Sequence, residues 1–309
     1  MRQNFVITKK LLCGALVAAV LFGGKIDTAA ATKTTTPAQA ATTANAATAK
    51  KAKVKVGTKK WQTKMEVKTY KRNGKKIYGE LYRPVGDGPF PAVVFCHGFN
   101  STCGGSQQFA RELAENGVVA YIFDFQGGSP SSRSGGSTTD MSVLTEAEDL
   151  KLVFNATKKL SYVDESRMFI IGESMGGFVS TYVAANMPGA VKGLIELYPA
   201  YNLGGPTVNL MVKYNLIPEQ MNFLGMNVGR KFFTDLSTVD INTELKKYSG
   251  KTLIIHGTND SVVPYYYSQN AVKNMKNAKL VPVNGAEHGF GMNATVKTET
   301  LKMLKELCN

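Results

Sequence analysis

An α/β fold, a mostly parallel eight-stranded sheet flanked by helices, is predicted by two features of the chain from residue 65 onward. The first is a set of short runs dominated by apolar residues, at 92–96, 118–123, 168–171, 193–197, 252–255 and 280–283. Runs of this kind mark strands covered on both faces. The second is the helical pattern that separates them, because alternating strands and helices build a parallel sheet with helices on each side.

Taken in order, residues 65–70 and 76–82 read as an antiparallel opening pair around Arg72-Asn73-Gly74, where Asn-Gly supplies the positive φ of a tight hairpin. Phe109 and Leu113 lie one helical turn apart before a stop at Gly117. Thr145 and Glu148 are spaced as a capping box ahead of Leu150, Val153 and Phe154. Phe178 with Tyr182, and Val179 with Val183, share a helix face; so do Leu301, Leu304 and Cys308. Between Tyr198 and Thr252 the rhythm breaks, in a stretch too long for a crossover and too apolar for a disordered loop. We expect an inserted cap with short helices over residues 200–248.

The chain has 309 residues, 43% of them hydrophobic, which supports a large core and excludes full-length disorder. Four cysteines are too few for a disulfide scaffold. The net charge of +14 is unevenly spread: residues 1–60 hold eleven Lys or Arg against Asp27, whereas the remainder holds 26 basic and 22 acidic residues. A nucleic-acid footprint belongs on a folded face, so we expect no nucleic-acid partner. Arg2, Lys9 and Lys10, an apolar stretch over residues 11–24 and Ala29-Ala30-Ala31 follow the order of a signal peptide over residues 1–31. An uncleaved anchor is the alternative. Residues 32–60 are rich in Ala, Thr and Lys and read as a flexible basic linker that could associate weakly with an anionic cell envelope. Residues 61–309 form the remaining domain. Cys96, Cys103 and Cys308 are then an odd set of thiols, and we expect Cys96 and Cys103 to stay unbridged.

The chemistry is expected at strand ends. Gly172-Glu173-Ser174-Met175-Gly176 follows one apolar run and opens a helical pattern, the context in which a serine is held on a sharp strand-to-helix turn. A serine hydroxyl needs a base, and the chain offers His97, His256 and His288. In the order serine, acid, histidine, only His288 can follow an acid that itself follows Ser174 at a strand end. That acid is Asp260, in Ile255-His256-Gly257-Thr258-Asn259-Asp260; the adjacent Glu287 is poorly placed to reach the imidazole. His97 and His256 are expected to be structural, each capping a strand end. The backbone N–H groups of Met175 and Phe99 are the candidate oxyanion donors. With no metal-ligand cluster, phosphate loop or dinucleotide fingerprint, we expect no cofactor and no metal.

The order His97-Gly98-Phe99, Asp124-Phe125-Gln126-Gly127-Gly128-Ser129, Gly172-Glu173-Ser174-Met175-Gly176-Gly177, Asp260 and His288 resembles the α/β-hydrolase superfamily over residues 62–307. Within it the chain is most similar to cinnamoyl and feruloyl esterases of gut bacteria, although their elbow commonly reads Gly-His-Ser-Gln-Gly, and Glu173 and Met175 also resemble the acylglycerol lipases. The resemblance implies a secreted or envelope-associated serine carboxylesterase acting on a small-molecule ester. An acylglycerol lipase or peptidase of the same fold is the alternative, and a binding protein without activity is a third reading. Tyr201, Tyr214, Phe223, Phe232 and Phe233 are candidates to line an aromatic pocket, but most are expected to be the cap's own core.

Overall fold

The structure is a computed structural model, and it describes residues 52–309. The signal and most of the linker fall outside the described residues.

The opening strands are β1 (Thr63–Val67), β2 (Tyr70–Arg72), β3 (Lys75–Ile77) and β4 (Gly79–Pro84). β2 and β3 form the expected hairpin, with Asn73 and Gly74 at φ 50° and 75°. The expected long pair divides, however, because β1 pairs with β4 rather than continuing into the hairpin. The central strands are β5 (Phe90–Cys96), β6 (Val119–Phe123), β7 (Val163–Glu173), β8 (Gly193–Leu197), β11 (Lys251–Gly257) and β12 (Ala278–Val283). They complete an eight-stranded sheet in the order β1-β4-β6-β5-β7-β8-β11-β12. β1, β4 and β6 are joined by antiparallel pairing and the rest by parallel pairing.

Every residue of β5, β6 and β8 is buried, as a strand covered on both faces requires. β7 begins five residues before the apolar run that predicts it, since Arg167 interrupts the run yet is buried. Its guanidinium is satisfied by Asp164 at 2.8 Å and by the carbonyls of Val54, Pro89 and Cys308. A buried charge with that many partners costs far less than its hydropathy suggests.

The helices α1 (Gln107–Glu115), α2 (Val143–Lys158), α3 (Met175–Ala185), α7 (Tyr266–Asn274) and α8 (Ala294–Cys308) flank the sheet. The capping box of α2 is formed by Ser142 and Thr145, three residues earlier than expected: the Ser142 hydroxyl accepts from the Thr145 N–H and the Thr145 hydroxyl from the Ser142 N–H. A Thr at the third helical position does the work that Glu was expected to do.

Residues between β8 and β11 hold α4 (Pro206–Lys213), a β9–β10 hairpin (Gln220–Phe223 and Met226–Gly229), α5 (Arg230–Leu236) and α6 (Ile241–Lys247). The hairpin is an addition to the helices expected there. Its signal lies in Met221, Phe223, Met226 and Val228, which alternate with polar residues around Leu224-Gly225. The end of the stretch read as linker also differs. Val56 is buried, and its backbone exchanges hydrogen bonds of 2.7 and 3.0 Å with the side chain of Asn309. Two valines in an Ala/Thr/Lys tract are enough to dock it. Cys96, Cys103 and Cys308 are free thiols.

Candidate active site

The strand order reverses at β5, with β6 added on one side of it and β7 on the other, and loops at the carboxyl ends of strands beside such a switch point frame a crevice. Cys96 of β5 pairs with Gly172 of β7, so the loop carrying Gly98 and Phe99 runs beside the turn carrying Ser174. That turn is tight. A Cβ on Gly172 would stand 2.3 Å from the Ser180 Oγ, and one on Gly176 would stand 2.5 Å from the Cys96 carbonyl oxygen. Ser174 sits at φ 51°, ψ −119°, in strained backbone outside the helical region. Its chain then enters α3, where Met175 is the first helical residue and its N–H has no intrahelical acceptor.

Asp260 lies beyond β11 and His288 beyond β12, and the structure brings both to Ser174. The Ser174 hydroxyl is 2.9 Å from the His288 Nε2, and the His288 Nδ1 is 2.7 Å from the Asp260 Oδ2. The Asp260 Oδ1 accepts from the N–H groups of Val262 and Val263 at 3.0 and 2.7 Å. Burial alone would raise this carboxyl, but hydrogen bonds from His256, His288 and Val263 hold it well below the usual carboxylate range. It is therefore ionised wherever the protein is folded near neutral pH, and it fixes the proton of His288 on Nδ1. The free Nε2 can then accept a proton from Ser174. Glu287 turns away to Ser261, whose hydroxyl lies 3.1 Å from the Glu287 Oε2.

His97 is structural, as expected. Its Nε2 accepts from the Phe125 N–H at 3.1 Å, so the proton is on Nδ1 and is donated to the Gly98 carbonyl at 2.8 Å. Burial lowers its pKa, keeping the ring neutral. His256 does more than cap its strand. Its Nε2 donates to the Val263 carbonyl at 2.8 Å and to the Asp260 Oδ2 at 3.1 Å, while its Nδ1 lies 2.6 Å from the Ser268 hydroxyl. Asp260 is thus held by two histidines, a role the sequence signals only by the four-residue spacing between His256 and Asp260.

A narrow cavity of about 30 Å³ opens beside Ser174, walled by Phe99, Met175, Leu203, Phe223, Leu224 and Val263 among others. Of the five candidate aromatics only Phe223 reaches it. Phe232 and Phe233 are buried behind Phe223, Tyr201 is buried with its hydroxyl 2.8 Å from Thr181, and Tyr214 is exposed. Among the described residues no group of His, Cys, Asp and Glu is arranged to hold a metal ion.

A family model described as serine aminopeptidase, S33, matches residues 87–221, and one described as TAP-like protein matches residues 234–306. Esterase FrsA of Enterobacter sp. (strain 638) is 27% identical over 184 residues, covering 58% of this chain and 41% of that one. Monoglyceride lipase of Rattus norvegicus is 27% identical over 187 residues, covering 60% and 58%. The chain thus spans less than two thirds of the length of these relatives. Among solved structures, Est1E from Butyrivibrio proteoclasticus with ferulic acid bound superposes with a TM-score of 0.66 at 23% identity, over 77% of this chain and 96% of that one. A monoacylglycerol lipase from Paleococcus ferrophilus gives a TM-score of 0.60 at 17% identity, over 75% and 99%. The strand order, the sharp turn at Ser174 and these superpositions agree: the chain has the α/β-hydrolase fold.

Proposed function

We propose that the chain is a secreted serine carboxylic-ester hydrolase. The observation that carries this reading is the hydrogen-bonded series Ser174, His288, Asp260 opening on an apolar cavity. Ser174 Oγ attacks the ester carbonyl carbon as its proton passes to the His288 Nε2. The N–H groups of Phe99 and Met175 receive the oxyanion, His288 returns the proton to the departing alkoxide, and an acyl-enzyme remains. Water, deprotonated by His288, then releases the acid and restores Ser174. Asp260 holds the imidazole in the required tautomer throughout.

The acyl group we propose is a hydroxycinnamoyl unit. Phe99 and Phe223 offer aromatic walls beside Ser174, and the overall fold is similar to that of Est1E, whose structure holds ferulic acid. A long-chain monoacylglycerol is the second reading, supported by the monoglyceride lipase relative and by the aliphatic walls Met175, Leu203, Leu224, Val262 and Val263. The nucleophile is tested by Ser174→Ala. Removing a triad member lowers hydrolysis by about three orders of magnitude or more, and a fluorophosphonate should label the parent protein at Ser174. Labelling at another serine, or retained activity in the folded variant, refutes the assignment.

A further inference from the structure

Glu173 stands one residue before Ser174, and both of its carboxylate oxygens are engaged. Its Oε1 accepts from the Gly98 N–H at 3.3 Å and its Oε2 from the Tyr198 hydroxyl at 3.1 Å. Gly98 precedes Phe99, whose N–H is a proposed oxyanion donor, and glycine by itself leaves that backbone free to rotate. The peptide joining Gly98 to Phe99 is planar and trans, so its carbonyl and its N–H point in opposite directions. His97 holds the carbonyl at 2.8 Å, and Glu173 holds the amide on the other side of Gly98. Tyr198 carries the same tether further: its ring stands edge-on to His288 at 4.8 Å and to Phe290 at 4.8 Å.

Resting on the ester-hydrolase reading, we propose that Glu173 is a positioning residue that aims the oxyanion-binding backbone of the Gly98-Phe99 loop and, through Tyr198, braces the imidazole of His288. A substituent on Gly98 could not replace the tether, because a Cβ there would lie 3.2 Å from the Ser174 Cβ. Burial raises the Glu173 carboxyl, while the Gly98 N–H, the Tyr198 hydroxyl and the nearby His288 favour its charged form. The tether therefore has its strongest acceptor when both donors are in place.

The test uses the full chain and the variants Glu173→Ala, Glu173→Gln and Tyr198→Phe, with two independent readouts. In Glu173→Ala, kcat for a nitrophenyl ester should fall about 10²-fold with KM changed less than about twofold, the signature of losing an interaction made only in the transition state. A trifluoromethyl ketone, which forms a tetrahedral adduct, should lose affinity by a similar factor. Glu173→Gln keeps an acceptor for Gly98 and should recover most of kcat; Tyr198→Phe should show a smaller loss of kcat. Separately, hydrogen exchange at the Gly98 and Phe99 amides should accelerate in Glu173→Ala. Unchanged exchange overturns the tether regardless of catalysis, and a loss confined to KM or to thermal stability overturns the positioning role. If the parent chain reacts with neither esters nor a fluorophosphonate, the ester-hydrolase reading falls, and the positioning of an oxyanion site falls with it.

Discussion

Glu146 is a fully buried carboxyl on α2, and among the described residues neither of its oxygens has a hydrogen-bond partner. Burial, reinforced by the charge of Asp149, raises its pKa well above the usual range. The native state therefore binds a proton that the unfolded chain releases in the ordinary glutamate range. The sign follows from linkage: the stability contributed by this group is fully present below that ordinary range and is lost as the pH rises through the native-state value. Glu196, also buried and raised by burial, has the same sign, although Ser180 and Thr181 donate to its Oε1 at 2.8 and 3.2 Å. Glu146→Gln removes one of these titrations. Its Tm, measured by scanning calorimetry, should gain on the parent as the pH rises from 5 to 9, by at least the ~2–4 °C that 1 kcal/mol produces in a domain of this size. A difference in Tm that does not vary with pH would show that Glu146 is not protonated in the native state.

At the scale of the element, the β9–β10 hairpin illustrates a local choice made against backbone preference. Leu224 and Gly225 form its two-residue turn at φ 46° and 83°, the arrangement that favours Asn-Gly. A leucine with positive φ costs on the order of 1 kcal/mol. Leu224 is nevertheless 42% exposed and lines the cavity beside Ser174. The cavity, at about 30 Å³, has room for about two or three water molecules on the basis of ~10–15 Å³ each. Leu224, at the hairpin tip, is one of the walls that an acyl group at Ser174 would meet. Leu224→Asn should leave Tm unchanged or raise it by a few degrees, while kcat/KM for a hydroxycinnamoyl ester changes several-fold more than for nitrophenyl acetate. Equal effects on both esters would mean that the tip does not contact the acyl group.

At the scale of the whole molecule, the cap is where the two ester-hydrolase readings make different predictions. Stacking of a ring on Phe99 or Phe223 is worth about 0.5–1.5 kcal/mol, so it shifts preference by roughly tenfold without making it absolute. We predict that kcat/KM for methyl ferulate or methyl p-coumarate exceeds that for a C12 monoacylglycerol several-fold, with peptide amides far below both. Replacing residues 201–247 by a short loop should abolish that preference more than it lowers hydrolysis of nitrophenyl acetate. A better rate on the monoacylglycerol in parallel assays would favour the lipase reading. The export proposal rests on the sequence of residues 1–31. Mass spectrometry of secreted protein should find a mature terminus near Thr32, whereas an intact Met1 in a membrane fraction would identify an anchor.

The fold class, the central strands and the meeting of Ser174, Asp260 and His288 were legible in the sequence because each depends on local pattern. A buried strand is an apolar run, a strand-to-helix turn demands glycines where no Cβ fits, and the order of strand ends ranks the three histidines. What only the tertiary structure decided depends on partners distant in the chain. Arg167 is a strand residue because Asp164 and three carbonyls satisfy it; Val56 docks because Asn309 meets it. His256 contacts the acid from behind, and Phe223 alone of the five candidate aromatics faces the cavity. Glu173 joins Gly98 to Tyr198 across three neighbouring strand ends. Composition and spacing report which groups a segment must bury or expose. Which particular donor meets which acceptor is settled only when the sheet brings strand ends dozens of residues apart within a hydrogen bond of one another.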